Sequence, residues 1–163
     1  MEANDQIVIR TGLCVGDIGA IVAMHGLIYA REQGWDHRFE AYVAGPLSEF
    51  ALRTNPRERI WIVERAGVVV GVIAIVEAAP GDAQLRWFLL DPSLRGRGIG
   101  KRLIDSALTF CRDSGYAHVL LWTVAGLEPA RHLYESVGFT LTLEEPGQHW
   151  DAGVVEQRFD LKL

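Results

Sequence analysis

Leu94-Arg95-Gly96-Arg97-Gly98-Ile99-Gly100-Lys101-Arg102-Leu103 joins an apolar run at residues 85–90, closed by Asp91-Pro92, to a segment of helical periodicity. Ile99, Leu103, Ile104, Ala107, Leu108 and Cys111 recur at the spacing of one helix face, while Lys101, Arg102, Asp105 and Arg112 take the other. A strand therefore leads through a glycine loop into an amphipathic helix. Glycines at a helix mouth leave backbone N–H groups bare, and the first turn carries a partial positive charge. Arg95 and Arg97 stand among them. Such a loop suits an anionic group, most plainly a phosphate.

Downstream, residues 117–123 read as a strand, and the order strand–helix–strand implies a parallel pair with a crossover helix. Upstream, residues 60–64 and 68–77 read as strands joined by a tight turn at Ala66-Gly67. Ala79-Pro80-Gly81-Asp82 then turns the chain into the strand at residues 83–90, completing an antiparallel meander. Before the meander, Ile7-Val8-Ile9 is a short β-like run ending at Gly12. Asp17 is placed to cap a helix through about residue 32, with Ile18, Ile21, Val22, His25, Ile28 and Tyr29 near one face and Gly34 as its stop. Asp36 caps a second helix whose Phe39, Tyr42, Val43, Leu47 and Phe50 share a side, and Pro46 inside that pattern predicts a kink or a break. After the parallel strand, Glu128-Pro129 opens a short helix to residue 137, closed by Gly138. Residues 139–143 and 154–163 read as closing strands around a polar loop that holds His149 and Trp150. The fold class is mixed α/β, in one domain over residues 1–163.

The composition agrees with that size. A chain of 163 residues, 49% hydrophobic and 23% charged, can fill one core and is too short for two ordinary ones. A net charge of −5 speaks against a general nucleic-acid binder. Cys14 and Cys111 belong to no paired ligand motif and the five histidines lack metal-ligand spacing, so no metal is implied. Residues 1–6 are polar without an apolar signal core, and no run approaches membrane-spanning length. A cytoplasmic location without a membrane partner is the expectation.

Arg95-x-x-Gly98-x-Gly100 after a strand resembles the acyl-CoA pyrophosphate signature of the GNAT N-acetyltransferase superfamily. Ala130-Arg131-His132-Leu133-Tyr134-Glu135-Ser136-Val137-Gly138-Phe139 is similar to its second signature, an alanine-rich helix with a tyrosine before Gly-Phe. The two occur in the family's order, separated by a strand, and the likeness covers nearly the whole chain. A closer resemblance, to the acetyltransferase halves of bacterial winged-helix-regulator fusions, rests on Gly16-Asp17-Ile18-Gly19, His25-Gly26-x-x-Tyr29-Ala30 and Gly34-Trp35-Asp36-x-x-Phe39-Glu40. The resemblance implies a mostly antiparallel mixed sheet of about seven strands with helices on both faces. Its central parallel pair would splay to admit acetyl-CoA as co-substrate, for direct transfer to an amine of a small molecule or a protein. Two other nucleotide loops fit less well: a dinucleotide loop requires G-x-G-x-x-G, and a Walker loop requires Ser or Thr after Gly100-Lys101, where Arg102 stands. The glycines could also merely ease strand–helix packing.

On this resemblance the N–H groups of Arg97, Gly98, Ile99, Gly100 and Lys101 hold the pyrophosphate, with Arg95 assisting. Backbone groups of Leu89 and Leu90 pair with the pantetheine arm as with an added strand. Tyr134 is the implied acid at the leaving sulfur, since a phenol donates across the neutral range; its spacing from Leu133 and Val137 equally fits a core tyrosine. The general base stays unassigned. The position of the family's carboxylate falls near Gln84, whose amide cannot take a proton, and Glu77, Asp82, Glu144 or a water relay are the candidates. Val124 stands where relatives place an asparagine against the CoA arm. Gln84 and Val124 support the alternative of a catalytically degenerate acyl-CoA sensor or interaction module. His25, Tyr29, Trp35, Asp36, Phe39 and Glu40 fall in the helical hairpin that forms part of the acceptor wall in this superfamily, where rings and carboxylates would suit a cationic or amphipathic amine. Each of them is also an ordinary core or capping residue. His149-Trp150 in the last loop could close over the site, with a solvated loop the favoured reading, and the strand at residues 154–163 offers an edge for a homodimer.

Overall fold

The computed structural model describes residues 6–163; residues 1–5, most of the polar segment at the start of the chain, lie outside them. The strands are β1 (Ile7–Thr11), β2 (Arg59–Arg65), β3 (Val68–Ala79), β4 (Asp82–Leu90), β5 (His118–Val124), β6 (Thr140–Pro146) and β7 (Val155–Lys162), in one sheet of order β1-β2-β3-β4-β5-β7-β6. Neighbours are antiparallel except β4 and β5, which run parallel. Helices α1 (Asp17–Gln33) and α2 (His37–Leu52) cover one face, and α3 (Ile99–Asp113) and α4 (Glu128–Ser136) the other. The central strands are mostly apolar because both faces are covered. Ile60 and Ile62 of β2 pack under α1 and α2, while Trp61 and Val63 pack under α3. Burying a side chain such as Ile62 or Leu103 completely stabilises the fold by roughly 1.5–3 kcal/mol.

β4 breaks its own alternation. Ala83 and Leu85 face α3, and Gln84 and Arg86 face α1 and α2. Trp87 then takes the same side as Arg86, and Leu89 follows Trp87. The cause is a bulge: Val72 opposes Leu89 while Ala74 opposes Arg86, so three steps on β4 match two on β3. Trp87 sits at φ 50° to allow it. A bulky side chain there costs about 1–3 kcal/mol, and the buried indole is held against Phe50 at 5.6 Å between centroids. The bend carries β4 away from β5. Register ends after Asp82↔His118, Ala83↔Val119 and Gln84↔Leu120, and beyond it the two strands diverge.

Several expectations change. α2 runs through Pro46 without a break, at the loss of one backbone hydrogen bond, because Val43, Leu47 and Phe50 on either side of it are buried against the sheet. β7 is not an edge: it lies between β5 and β6, so a dimer could not add to it, and β1 and β6 are the edges. The hairpin places its second strand inward because Phe159 fills the core beneath β5. No helix among the described residues is long and apolar enough to cross a membrane.

Gly16, and not Asp17, occupies the cap position of α1. The Asp17 carboxylate is buried and accepts hydrogen bonds from the Arg10 guanidinium at 2.8 Å and 3.0 Å and from the Cys14 N–H at 2.6 Å. Burial opposes its ionisation, yet the Arg10 and Cys14 hydrogen bonds outweigh it and hold the group below the ordinary carboxylate value. A lowered folded value means stability that is complete above the ordinary carboxylate range and lost as the pH falls through the folded one. Asp17→Asn should therefore cost about 1–3 kcal/mol in urea unfolding at neutral pH, with the gap to wild type closing in acid. A gap independent of pH would contradict this.

Candidate active site

The divergence of β4 and β5 opens a cleft made of two cavities, of about 540 Å³ and about 120 Å³, that share Tyr29, Phe88 and Leu127. The larger one ends at the glycine loop. Asp91 accepts the Ser93 N–H at 2.9 Å and starts a 3₁₀ turn, Pro92–Leu94, which is anchored by the fully buried Leu94. Gly96 and Gly98 then take φ of 72° and 77°, and α3 begins at Ile99 with no side chain capping it. The first backbone bond returning to the cap is Arg102 N–H to Gly98 O at 3.1 Å, which leaves the N–H groups of Ile99, Gly100 and Lys101 without intrahelical acceptors. Gly100 allows the helix start to press on the cleft wall, since a Cβ there would stand 3.2 Å from Leu133 Cδ2 and 3.4 Å from Phe88 Cζ.

The structure brings most of the expected cofactor residues together. Leu89, Leu90, Arg95, Gly98, Gly100 and Lys101 line the larger cavity. The Ile99 side chain turns into the core beneath the loop and that of Arg97 is exposed, so these two would offer backbone only. The cations are already paired: Arg95 with Glu32 of α1 at 2.5 Å, and Lys101 with Asp105 at 2.7 Å. Toward the cavity the loop presents its unpaired N–H groups.

Tyr134 lines the smaller cavity. Its ring packs on Phe88, Phe139 and Phe159 at 6.1–6.3 Å between centroids, so the core reading describes the ring. Its hydroxyl has no hydrogen-bond partner among the described residues. Burial, with a smaller contribution from Tyr29, pushes that phenol well above its ordinary value. It is a fixed donor.

The wall of the smaller cavity comes from the helical hairpin. α1 and α2 meet where Gly26 lies against the Glu40 side chain, which a Cβ at this position would displace. Tyr29 stacks on Trp35 at 4.9 Å, and Trp35 meets Phe39 at 4.8 Å. His25 Nδ1–H donates to Ile21 O at 2.8 Å, and burial pulls the ring down to about 4, so it is neutral with Nε2 free to accept. Trp150, read above as part of a solvated loop, is buried instead and closes the wall against Trp35 at 5.1 Å and Tyr42 at 4.6 Å. Its loop is pinned by Gly147 N–H to Val154 O at 2.8 Å.

The carboxylates fall elsewhere. Asp36 is exposed, capping α2 and paired with Arg38, and neither it nor Glu40 lines a cavity. Glu77 accepts from Asn55 and faces Arg57, Asp82 sits beside His118 at the paired end of β4, and Glu144 accepts from Gln157; none of these lines the cleft. Glu156, which sequence reasoning missed, does line the smaller cavity, but it is engaged by His149 Nδ1 at 3.0 Å and the Gln148 N–H at 3.3 Å. Arg86 was missed as well. A signal for it existed: a lone arginine in an otherwise apolar stretch of central strand, on the same face as Gln84.

Residues 19–139 match the model of the acetyltransferase (GNAT) family. The chain is 39% identical to N-acetyltransferase family 8 member 2 of Rattus norvegicus over 93 residues, which are 54% of this chain and 41% of that protein's length. It is 33% identical to the uncharacterized N-acetyltransferase YjgM of Escherichia coli over 93 residues, 55% of this chain and 56% of that one. Among solved structures, an acetyltransferase from Streptococcus agalactiae superposes over the whole of both chains with a TM-score of 0.77 at 18% identity. The protein yncA of Salmonella typhimurium, solved with its cofactor acetyl-CoA, superposes over 96% of this chain and 93% of that one with a TM-score of 0.75, also at 18% identity.

Proposed function

The chain belongs to the acetyltransferase (GNAT) family, and from that premise we propose that it forms one N-acetyltransferase domain, which passes the acetyl group of acetyl-CoA directly to a primary amine. The observation that carries the reading is the joined pair of cavities, one ending in unpaired helix N–H groups and the other lined by the unpartnered Tyr134. The N–H groups of Arg97, Gly98, Ile99, Gly100 and Lys101 take the pyrophosphate, with Arg95 at the cavity mouth. The edge of β4 at Leu89 and Leu90, on the side that diverges from β5, takes the pantetheine arm. The thioester then reaches the smaller cavity. There the amine nitrogen attacks the carbonyl carbon, the carbon–sulfur bond breaks, and Tyr134 donates to the leaving sulfur. His25 Nε2 accepts a hydrogen bond from the attacking nitrogen. The proton lost by nitrogen passes through water to the Tyr134 oxygen and restores the phenol that protonated the sulfur.

Free thiol released from acetyl-CoA on addition of an amine panel tests this reading. Transfer to at least one amine is expected; tight CoA binding with no transfer to any amine would leave the sensor alternative standing instead. The pH dependence is a second check. His25 is neutral above about 4 and Tyr134 stays protonated, so neither changes charge in the working range. kcat/KM should rise with pH as the acceptor ammonium loses its proton to give the neutral amine, and then level. An added inflection that disappears in His25→Gln would overturn this.

A further inference from the structure

We infer that the smaller cavity selects an amine that also carries a carboxylate, with Arg86 as the partner of that carboxylate and the aromatic wall around an apolar side group. The inference rests on the acyl-transfer reading of the cleft. Arg86 stands on β4 just past the last residue paired with β5, and so faces the divergence. It is half-buried, and among the described residues its guanidinium has no hydrogen bond and no ion pair. Its guanidinium lies over the Trp87 ring, 4.9 Å away at the centroid and placed on the same face by the bulge, and Tyr42 and Arg53 are near enough to act on it electrostatically. Glu49 is near enough to act on it electrostatically yet forms no ion pair with it. Glu156 is engaged by His149 and Gln148 and does not serve Arg86.

A guanidinium withdrawn from water without an anion is unfavourable, and its planar fork of donors matches a carboxylate at two points. Trp150, which lines the same cavity, has a buried Nε1–H that also lacks an acceptor among the described residues. An unpaired guanidinium, a buried indole donor without an acceptor and a Glu156 carboxylate already engaged by His149 and Gln148 give this cavity, among the described residues, the polarity opposite to that of a site for a polycation. The negative residues expected in the wall, Asp36 and Glu40, are outside it. The rings of Tyr42, Trp35 and Trp150 give the same cavity an apolar surface. A compact amino acid with an apolar or aromatic side chain satisfies all three features, whereas the side chain of a protein lysine carries no carboxylate.

The test is a calorimetric titration of the protein, with and without bound CoA, using two product analogues that differ only in the carboxylate: N-acetyl-L-phenylalanine and N-acetyl-2-phenylethylamine. The acid should bind about ten- to a hundredfold more tightly, the range of one charged hydrogen-bonding pair. Arg86→Gln should remove that difference. Arg86→Lys, which keeps the charge but not the fork, should keep part of it and guards against loss through misfolding. Equal affinities, no binding of either analogue, or a preference that survives Arg86→Gln overturns the inference. Binding is read without turnover, so a protein that prefers the acid yet transfers acetyl to no amine would keep the carboxylate site and lose the acetyltransferase reading.

Discussion

Gly98→Asp is expected to weaken CoA binding by about a hundredfold or more while leaving the fold in place. The fold should survive because a Cβ on Gly98 meets nothing within 4 Å. The remaining cost is that of a side chain at φ 77°, about 1–2 kcal/mol for most residues, and Asp is among those that tolerate this region best. The site is lost for two reasons that act together. Asp at a helix cap accepts the N–H groups of the second and third helical residues, here Gly100 and Lys101, which are the donors a pyrophosphate needs. It also adds a negative charge where the ligand brings its own. Gly98→Asn separates the two effects, since it caps the helix equally well without the charge, and it should fall between wild type and Gly98→Asp. Calorimetric titration with CoA at constant salt measures all three. An unaltered affinity in Gly98→Asp would remove the loop from the cofactor site.

Most of the fold is legible in local pattern. The α3 face at Ile99, Leu103, Ile104, Ala107, Leu108 and Cys111 is buried at every position, because a helical stripe has only one way to meet a sheet. Ala66-Gly67 forms its tight turn with both residues at positive φ. The bulge at Trp87 leaves no such trace, since no glycine or proline marks it. Its left-handed tryptophan is imposed by what surrounds it, namely Phe50 and the two strands competing for β4. The position of β7 between β5 and β6 was equally hidden: a hairpin reads the same from either side, and the fit of Phe159 beneath β5 decides which strand goes inward.

The candidate site divides in the same way. The glycine loop and Tyr134 stand out because each is a run of residues whose types and spacing act together. The acceptor cavity is assembled from α1, α2, β4, β5, α4, β7 and the loops before α2, α4 and β7, and only β4 and β5 contribute a continuous run. Trp150 looked solvated because its neighbours in sequence are polar, and only the docking of its loop on Trp35 and Tyr42 buries it. Arg86 was partly legible. Period-two alternation puts it on the face of Gln84, but without the bulge it could not be seen that Trp87 shares that face.

Tyr134→Phe should lower kcat by about 10²–10⁴-fold, the range for removal of one general acid. CoA affinity and thermal stability should remain near those of wild type. The second expectation is what distinguishes the roles. The ring is held by Phe88, Phe139 and Phe159, and phenylalanine preserves those contacts. The hydroxyl makes no hydrogen bond among the described residues, so its removal breaks no internal one. A hydroxyl that served the core would be missed on unfolding; one that serves the leaving sulfur is missed only in turnover. The nature of the thiol sharpens the contrast. An acyl donor whose thiol is more acidic leaves without protonation, so the variant should recover much of its rate with an aryl thioester and little with acetyl-CoA. An unchanged kcat would remove Tyr134 from the chemistry, and an equal loss with both donors would assign it to positioning. A fall in melting temperature that tracked the loss of rate would return it to the core.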